Sequence, residues 1–435
     1  MSALAAIRNG IAGRTKKRSK ARPIEYSLLL TATMCLLAFG VVMVFSASSS
    51  ASLLGDTGDG AYYLKRTLMF GVFGLVALRL LSTHSLTTIR RLTPAILVGA
   101  VVLLIITKVI GTSANGAQRW IALGPVQIQA SEIAKVSLML YGAHLLAERP
   151  KMTRDLRGLS PLLLIAAAVC GLIVLEPDLG TAMVSAFSIA ALLVAAGAKI
   201  RHLAMVAGAL LLFVVLAVLI EPYRMARLTS FLDPSADASG AGFQSMQATI
   251  ALGSGGFFGV GLGESLQKAF YLPEAHTDMI AAVIGEELGM IGMAVLVGLY
   301  MLLGYAGFRT AQKARDRYGR LLAAGLTAMI LVQASINLFA VLGLAPLTGV
   351  TLPFVSYGNS SLIVTLAAVG LLLNIAQGGR AASTATTRPK PLRVVDGGRK
   401  PAPTRSGGAR AAGGDRSRRD SRARGAGTGS RRRAR

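Results

Sequence analysis

Between positions 274 and 287 the chain places Glu274, His276, Asp278, Glu286 and Glu287, all within the stretch YLPEAHTDMIAAVIGEELG that starts at Tyr271. Carboxyl groups and an imidazole this close in sequence can do several kinds of chemistry. A carboxylate in a partly buried site has a raised proton affinity and can take the proton of an attacking hydroxyl. The same set could bind a divalent cation or pass protons along a transport path. Asp278 and Thr277 could also do no more than cap the helix that follows. These readings stay open, although a cap explains neither His276 nor two glutamates one or two turns further on.

Three other stretches carry polar groups among apolar neighbours. In NGAQRWI, from Asn115, followed by QIQASEIAK, from Gln127, the ionisable groups are Arg119, Glu132 and Lys135. Glu132 and Lys135 are three apart, so they share one helix face and suit an internal ion pair. With Arg119 they also suit a cationic site for an anionic group, since Arg grips phosphate oxygens in a bidentate way. Glu176-Pro-Asp178 with Gly180 reads as a tight turn that presents two carboxylates. In the segment Thr348 to Ser361, Pro353 and Gly358 can break a helix, and Ser356, Ser360 and Ser361 can satisfy the freed backbone or hydrogen-bond a sugar or phosphate.

The elements that must hold these groups are membrane helices. The chain has 435 residues, of which 53% are apolar and only 15% charged, with a mean hydropathy of +0.58. A soluble chain carries roughly 25% charge. Ten apolar runs are long enough to cross a bilayer, near 27–48, 64–82, 92–111, 131–148, 160–176, 178–198, 201–220, 279–306, 321–345 and 351–377. The predicted fold is therefore an all-α polytopic membrane protein of about ten transmembrane helices. Its longest connection, about 221–278, lies between helices seven and eight. That connection carries a glycine-rich run, 253–263, and several aromatic residues, which predicts re-entrant or interfacial helices rather than disorder.

Charge fixes the expected orientation. Of the net +26, most sits in two tails: residues 1–23 hold seven basic residues and no acid, and residues 380–435 hold 17 basic and 3 acidic ones. With the N-terminus placed in the cytoplasm, the inside loops carry Arg90 and Arg91, then Arg149, Lys151, Arg154 and Arg157, then Lys199 and Arg201, then Arg309, Lys313, Arg315, Arg317 and Arg320. The outside segments carry Asp56, Asp59, Arg119, Glu176 and Asp178 and the long 221–278 connection. That pattern obeys the positive-inside rule with both termini cytoplasmic. The domain reading is a basic tail at 1–26, a membrane domain at 27–377 and a disordered Arg/Gly/Ala-rich tail at 378–435. The Arg-rich tail has no aromatic residue to stack on bases, so nucleic acid is not expected as a partner. Cys35 and Cys170 lie in apolar runs without a neighbouring ligand and imply neither a disulfide nor a metal site.

Taken together and in order, NGAQRWI…QASEIAK, EPDLGTA, YLPEAHTDMIAAVIGEELG and TLPFVSYGNSS resemble the SEDS family (shape, elongation, division and sporulation) over about residues 27–377. PEAHTD and the basic tails look more like its division branch than its elongation branch. The resemblance implies an integral membrane peptidoglycan glycosyltransferase that polymerises lipid II at the outer face of the cytoplasmic membrane, at the division septum. It maps the catalytic aspartate onto Asp278. Its outer-cavity positions map onto Arg119, Glu132, Lys135 and Asp178 and onto the stretch with Ser356, Ser360 and Ser361, and the expected substrate-binding set adds the neighbours Glu274, His276, Glu286 and Glu287. The implied partners are lipid II, a class B penicillin-binding protein as transpeptidase, other divisome proteins and the membrane. No cofactor is fixed; a divalent cation, Mg or Mn, is the one candidate. Two positions depart from the pattern: Thr348 stands where some members have lysine, and Asn359 where a second glycine is usual. The competing readings are a flippase for a lipid-linked precursor, an elongation-type polymerase, and a scaffold that acts through its tails. A flippase would place polar groups along a path across the bilayer, whereas here they gather at the outer ends of the spans.

Overall fold

Long helices form along the apolar runs of the sequence. The computed structural model describes residues 23–54, 58–114, 117–123, 126–233, 240, 242–268 and 271–379; both basic tails, 1–22 and 380–435, lie outside the described residues. Ten long helices run through it: α1 (Ile24–Leu54), α2 (Tyr62–Thr83), α3 (Leu86–Ile110), α4 (Ala130–Glu148), α5 (Leu156–Leu175), α6 (Leu179–Ala195), α7 (Ile200–Ile220), α10 (Ile280–Lys313), α11 (Arg317–Val341) and α12 (Asn359–Ala376). Two shorter helices, α8 (Pro222–Leu232) and α9 (Phe243–Gly255), occupy the long connection, as its aromatic content predicted.

Seven helices, α1, α3, α5, α7, α10, α11 and α12, are long and apolar enough to cross a membrane by length and composition. α6 is apolar but shorter, at 17 residues. α2 carries Lys65, Arg66 and Arg79, and α4 carries Glu132, Lys135 and Glu148. Several of these helices show little amphipathic pattern, as expected where lipid and protein interior are equally apolar. α11 lies at the centre, packed on α4, α6, α10 and α12, whereas α7 buries only Ala217. α2 and α12 approach closely at Gly74 and Gly370, where an added Cβ would meet Leu366 and the backbone of Leu78.

Two features depart from the sequence reading. Residues 112–129, read as a loop, form an antiparallel sheet of β1 (Thr112–Ala114), β2 (Ala117–Leu123) and β3 (Val126–Gln129), with Trp120 opposite Gln129 and Ile121 opposite Ile128. Also, the last helix begins at Asn359 and not near 351. Pro353 has no amide hydrogen to give to a helical ladder, and Gly349 and Phe354 take left-handed backbone angles, φ +70° and +68°, which end any helix there. The sheet, the 342–358 segment, the 271–279 segment and the start of α2 meet at one end of the bundle. Asn337 ties 278 to 350, Gln129 ties β3 to α12, and Tyr63 touches His276.

Candidate active site

Asp278 lies two residues ahead of α10 and is only 9% exposed. It does not cap α10, whose N-cap is Met279 without a side-chain hydrogen bond. Thr277 Oγ1 donates to Glu274 Oε2 at 2.7 Å and stands 3.3 Å from Asp278 Oδ1, so one hydroxyl links the two carboxyl groups. Asn337 Nδ2 of α11 donates to the carbonyls of Asp278 and Val350, both at 2.7 Å, and fixes the two strands of chain that flank the carboxylate. Burial, reinforced by Glu274, pushes the Asp278 carboxyl up to about 6, with Arg227 acting in the opposite sense. A carboxylate with that affinity is ionised at neutral pH yet basic enough to accept a proton from a hydroxyl.

His276 packs in an aromatic cluster. Its ring centre is 4.3 Å from that of Tyr63 and 5.6 Å from that of Tyr357, and its carbonyl accepts from the Tyr357 amide at 2.9 Å. Burial lowers the imidazole's affinity for a second proton, so it is neutral at pH 7 and gives the site ring surface rather than charge.

Glu286 and Glu287 do not join Asp278. Glu286 accepts from the Ser265 hydroxyl and, at 3.1 Å, from the Leu266 amide. Glu287 accepts from Ser46 Oγ of α1 at 2.6 and 2.7 Å and pairs with Lys268 at 2.8 Å. Both glutamates are at most 2% exposed. They bind the 256–268 segment to α10 and α1. The backbone explains why this segment is so rich in glycine. α10 is broken at Gly289 (φ 63°, ψ −157°), which frees peptide groups on either side. The segment fills them: Val260 and Gly261 amides donate to the Glu286 and Glu287 carbonyls at 3.0 Å, and the Met290 amide donates to the Gly256 carbonyl at 3.1 Å. Such close approach leaves no room for a Cβ at Gly255 or Gly259.

The remaining sequence-derived positions lie at the same end of the bundle, tied into its framework. Lys135, 1% exposed, meets both Glu132 oxygens at 2.8 and 2.9 Å and donates to Gln333 Oε1. Gln333 in turn donates to the Thr351 carbonyl at 2.9 Å. Asp178 caps α6 through the Thr181 amide at 3.1 Å and accepts from Ser131 Oγ and Gln129 Nε2, each at 3.0 Å. Arg119 donates to the Glu176 carbonyl at 3.3 Å and to that of Pro177. Ser356 Oγ accepts from the Leu352 amide at 2.8 Å, Ser360 Oγ from the Gln129 amide at 3.1 Å, and Ser361 Oγ is 3.4 Å from Thr351 Oγ1. Sequence reasoning missed Ser46, Arg227, Lys268, Gln333 and Asn337. Among the described residues no three His, Cys, Asp or Glu side chains converge as a metal-ligand set.

The comparisons with known proteins fall on the same residues. The sequence pattern of the family described as cell cycle protein, FtsW/RodA/SpoVE, matches residues 26–381. The chain is 40% identical over 365 residues to the probable peptidoglycan glycosyltransferase FtsW of Trichlorobacter lovleyi, covering 83% of this chain and 96% of that one. It is 40% identical over 357 residues to stage V sporulation protein E of Bacillus subtilis, covering 81% and 97%. Among solved structures it resembles, with a TM-score of 0.67 and 32% identity, a chain described under the structural coordination of polymerization and crosslinking by a peptidoglycan synthase complex; 81% of this chain and 97% of that one are covered.

Proposed function

The chain belongs to the FtsW/RodA/SpoVE family, and from that membership we propose its function: it is a peptidoglycan glycosyltransferase that polymerises lipid II into glycan strands during cell division. The observation that carries the mechanism is Asp278, a buried carboxylate of raised proton affinity beside Thr277 and Glu274.

The acceptor sugar's hydroxyl oxygen attacks the anomeric carbon of the lipid-linked donor. A carbon–oxygen bond forms there, and the bond to the diphosphate breaks, its electron pair leaving with the phosphate oxygen. Asp278 takes the hydroxyl proton. This raises the oxygen's nucleophilicity as the bond forms, a contribution of about 10² to 10⁴ in rate. Thr277 orients the carboxylate, and Asn337 holds the backbone on both sides of it. Both substrates are anchored in lipid. A site at the end of a helical bundle therefore meets them by diffusion in two dimensions, without a path through the membrane.

The basic loops support an orientation with this end of the bundle at the outer face of the cytoplasmic membrane and both termini in the cytoplasm. The partner of this reading is a class B penicillin-binding protein, which crosslinks the strands as they are made, within the division machinery at the septum. A divalent cation on the diphosphate would add charge to that of the chain's own cations.

The test is glycan polymerisation from labelled lipid II by the purified full-length protein, with and without such a partner, against Asp278→Asn. The expected result is a loss of about 10² to 10⁴ in rate with normal expression and retained lipid II binding. Near-normal polymer from the variant would remove Asp278 from the mechanism. Movement of lipid II across a vesicle wall without polymer would replace polymerase by flippase.

A further inference from the structure

Most cations near this end of the bundle are spent on the framework. Arg119 holds two carbonyls, Lys135 is enclosed by Glu132 and Gln333, and Lys268 by Glu287 and Ser46. Arg224 donates to the carbonyls of Ala217 and Val174. Arg227, on α8, is placed differently. Its guanidinium lies 4.7 Å over the Tyr223 ring, and Nη2 donates to the Tyr223 hydroxyl at 2.5 Å. Nη1 donates to the Leu347 carbonyl at 3.2 Å. These contacts use two of a guanidinium's five N–H donors, and the residue is only half-buried.

The carbonyl it grips belongs to the segment that leads into Gly349. Gly349 has a left-handed backbone, and the place its missing Cβ would occupy is 3.8 Å from Asp278 Oδ2 and 3.9 Å from Arg227 Nη1. The carboxylate and the guanidinium thus both border the space that Gly349 leaves without a side chain. Glycosyl transfer from a diphosphate needs a base for the departing proton and a cation for the negative charge that grows on the leaving group, and here both border one space.

We propose that Arg227 binds the diphosphate of the lipid-linked donor, next to the space that Gly349 leaves open beside Asp278. The inference rests on the polymerase reading. The guanidinium's planar fork suits two phosphate oxygens at once. Its contribution grows as the anomeric bond breaks and the electron pair moves onto the departing oxygen.

The experiment uses full-length Arg227→Gln and Arg227→Lys proteins, with lipid II as substrate and inorganic pyrophosphate as competing probe. Arg227→Gln should lower kcat/KM by about 10² to 10³, the loss typical of removing one transition-state donor, and should weaken inhibition by pyrophosphate. Arg227→Lys keeps the charge and an apolar stem and should retain part of both. A second readout separates binding from packing. The charged groups acting on Asp278 are Glu274 and Arg227; with Arg227 neutralised and Glu274 unchanged, the acid limb of the pH–rate profile should move to higher pH. Near-normal kcat/KM with unchanged pyrophosphate inhibition would overturn the proposal. So would equal losses in both variants with the limb unmoved, which is the behaviour of a packing residue. Should the wild-type protein bind lipid II but form no polymer, the polymerase reading fails by itself; pyrophosphate binding by wild type against Arg227→Gln then decides whether Arg227 is an anion site.

Discussion

Asp278 accepts a proton only while ionised, and its affinity is set by burial and Glu274 on one side and Arg227 on the other. The kcat/KM of polymerisation should therefore fall below about pH 6 and level off above it, which initial rates between about pH 5 and 8.5 would show. The same shift has a cost in stability. The folded-state value, about 6, is above the ordinary 3.8, so the contribution that favours folding is complete below the ordinary value and is lost as pH rises through about 6. Asp278→Asn never ionises, so its melting temperature relative to wild type should rise between pH 5 and pH 8. A fall over that interval would contradict the burial argument. Asp278 was legible in the sequence because carboxylates crowd around it at the start of an apolar run. Arg227, Lys268, Gln333 and Asn337 were not, because each matters only through a partner supplied by the fold. Ser46 and Glu287 are 241 positions apart, and Lys135 and Gln333 are 198 apart.

α10 is two helical pieces joined at Gly289, and the glycine-rich segment 256–261 is the splint across the join. Gly289 has angles that essentially only glycine adopts, and a Cβ there would come within 2.4 Å of the Gly259 amide nitrogen. Gly289→Ala should cost at least about 1–3 kcal/mol from the backbone alone, with the clash in addition. Gly298→Ala, in the same helix where a Cβ meets nothing within 4 Å, should be neutral or slightly stabilising. Thermal unfolding of the two variants in the same detergent checks the contrast, and equal melting temperatures would mean that the join bears no strain. The sequence displayed the glycines of 253–263 plainly, but as the mark of a loop. Their partner in span eight looked like any helix glycine, because the break is visible only once the two segments lie side by side. The glutamates beside it have a corresponding place: Glu286 and Glu287 fasten the splint, whereas the shared spacing in the sequence had grouped them with Asp278.

At the scale of the whole chain, the ten apolar runs foretold the ten long helices among the described residues, seven of which are long and apolar enough to cross a membrane. The sheet at 112–129 escaped because its strands have 3, 7 and 4 residues and lie in a polar, glycine-containing stretch. The start of the last helix escaped because the apolar run continues through Phe354, whose left-handed backbone interrupts the ladder. The alternation of basic loops predicts an orientation that a reporter can check. A reporter fused after residue 380, or inserted at 309–320, should register in the cytoplasm, and one inserted near residue 238 should register outside. An outside signal at the C-terminal fusion would invert the arrangement and move the candidate site to the wrong side for extracellular polymerisation.

The join in α10 also bears on how the protein meets bilayers of different thickness. Unbroken, its 34 residues would form a rod of about 51 Å, far longer than a hydrocarbon core of about 30 Å. The piece beyond Gly289 is about 36 Å by the same rise, and it fits by tilting. Tilt changes as lipid tails lengthen or shorten. Without the join, a continuous hydrogen-bond ladder would carry every such change straight to the residues next to Asp278. With it, the ladder stops at Gly289, and the head of the helix is bolted to the 256–268 segment and, through Glu287, to α1. The long piece could then follow the membrane while the head keeps its place, which would hold the geometry of the candidate site steady across lipids of different thickness.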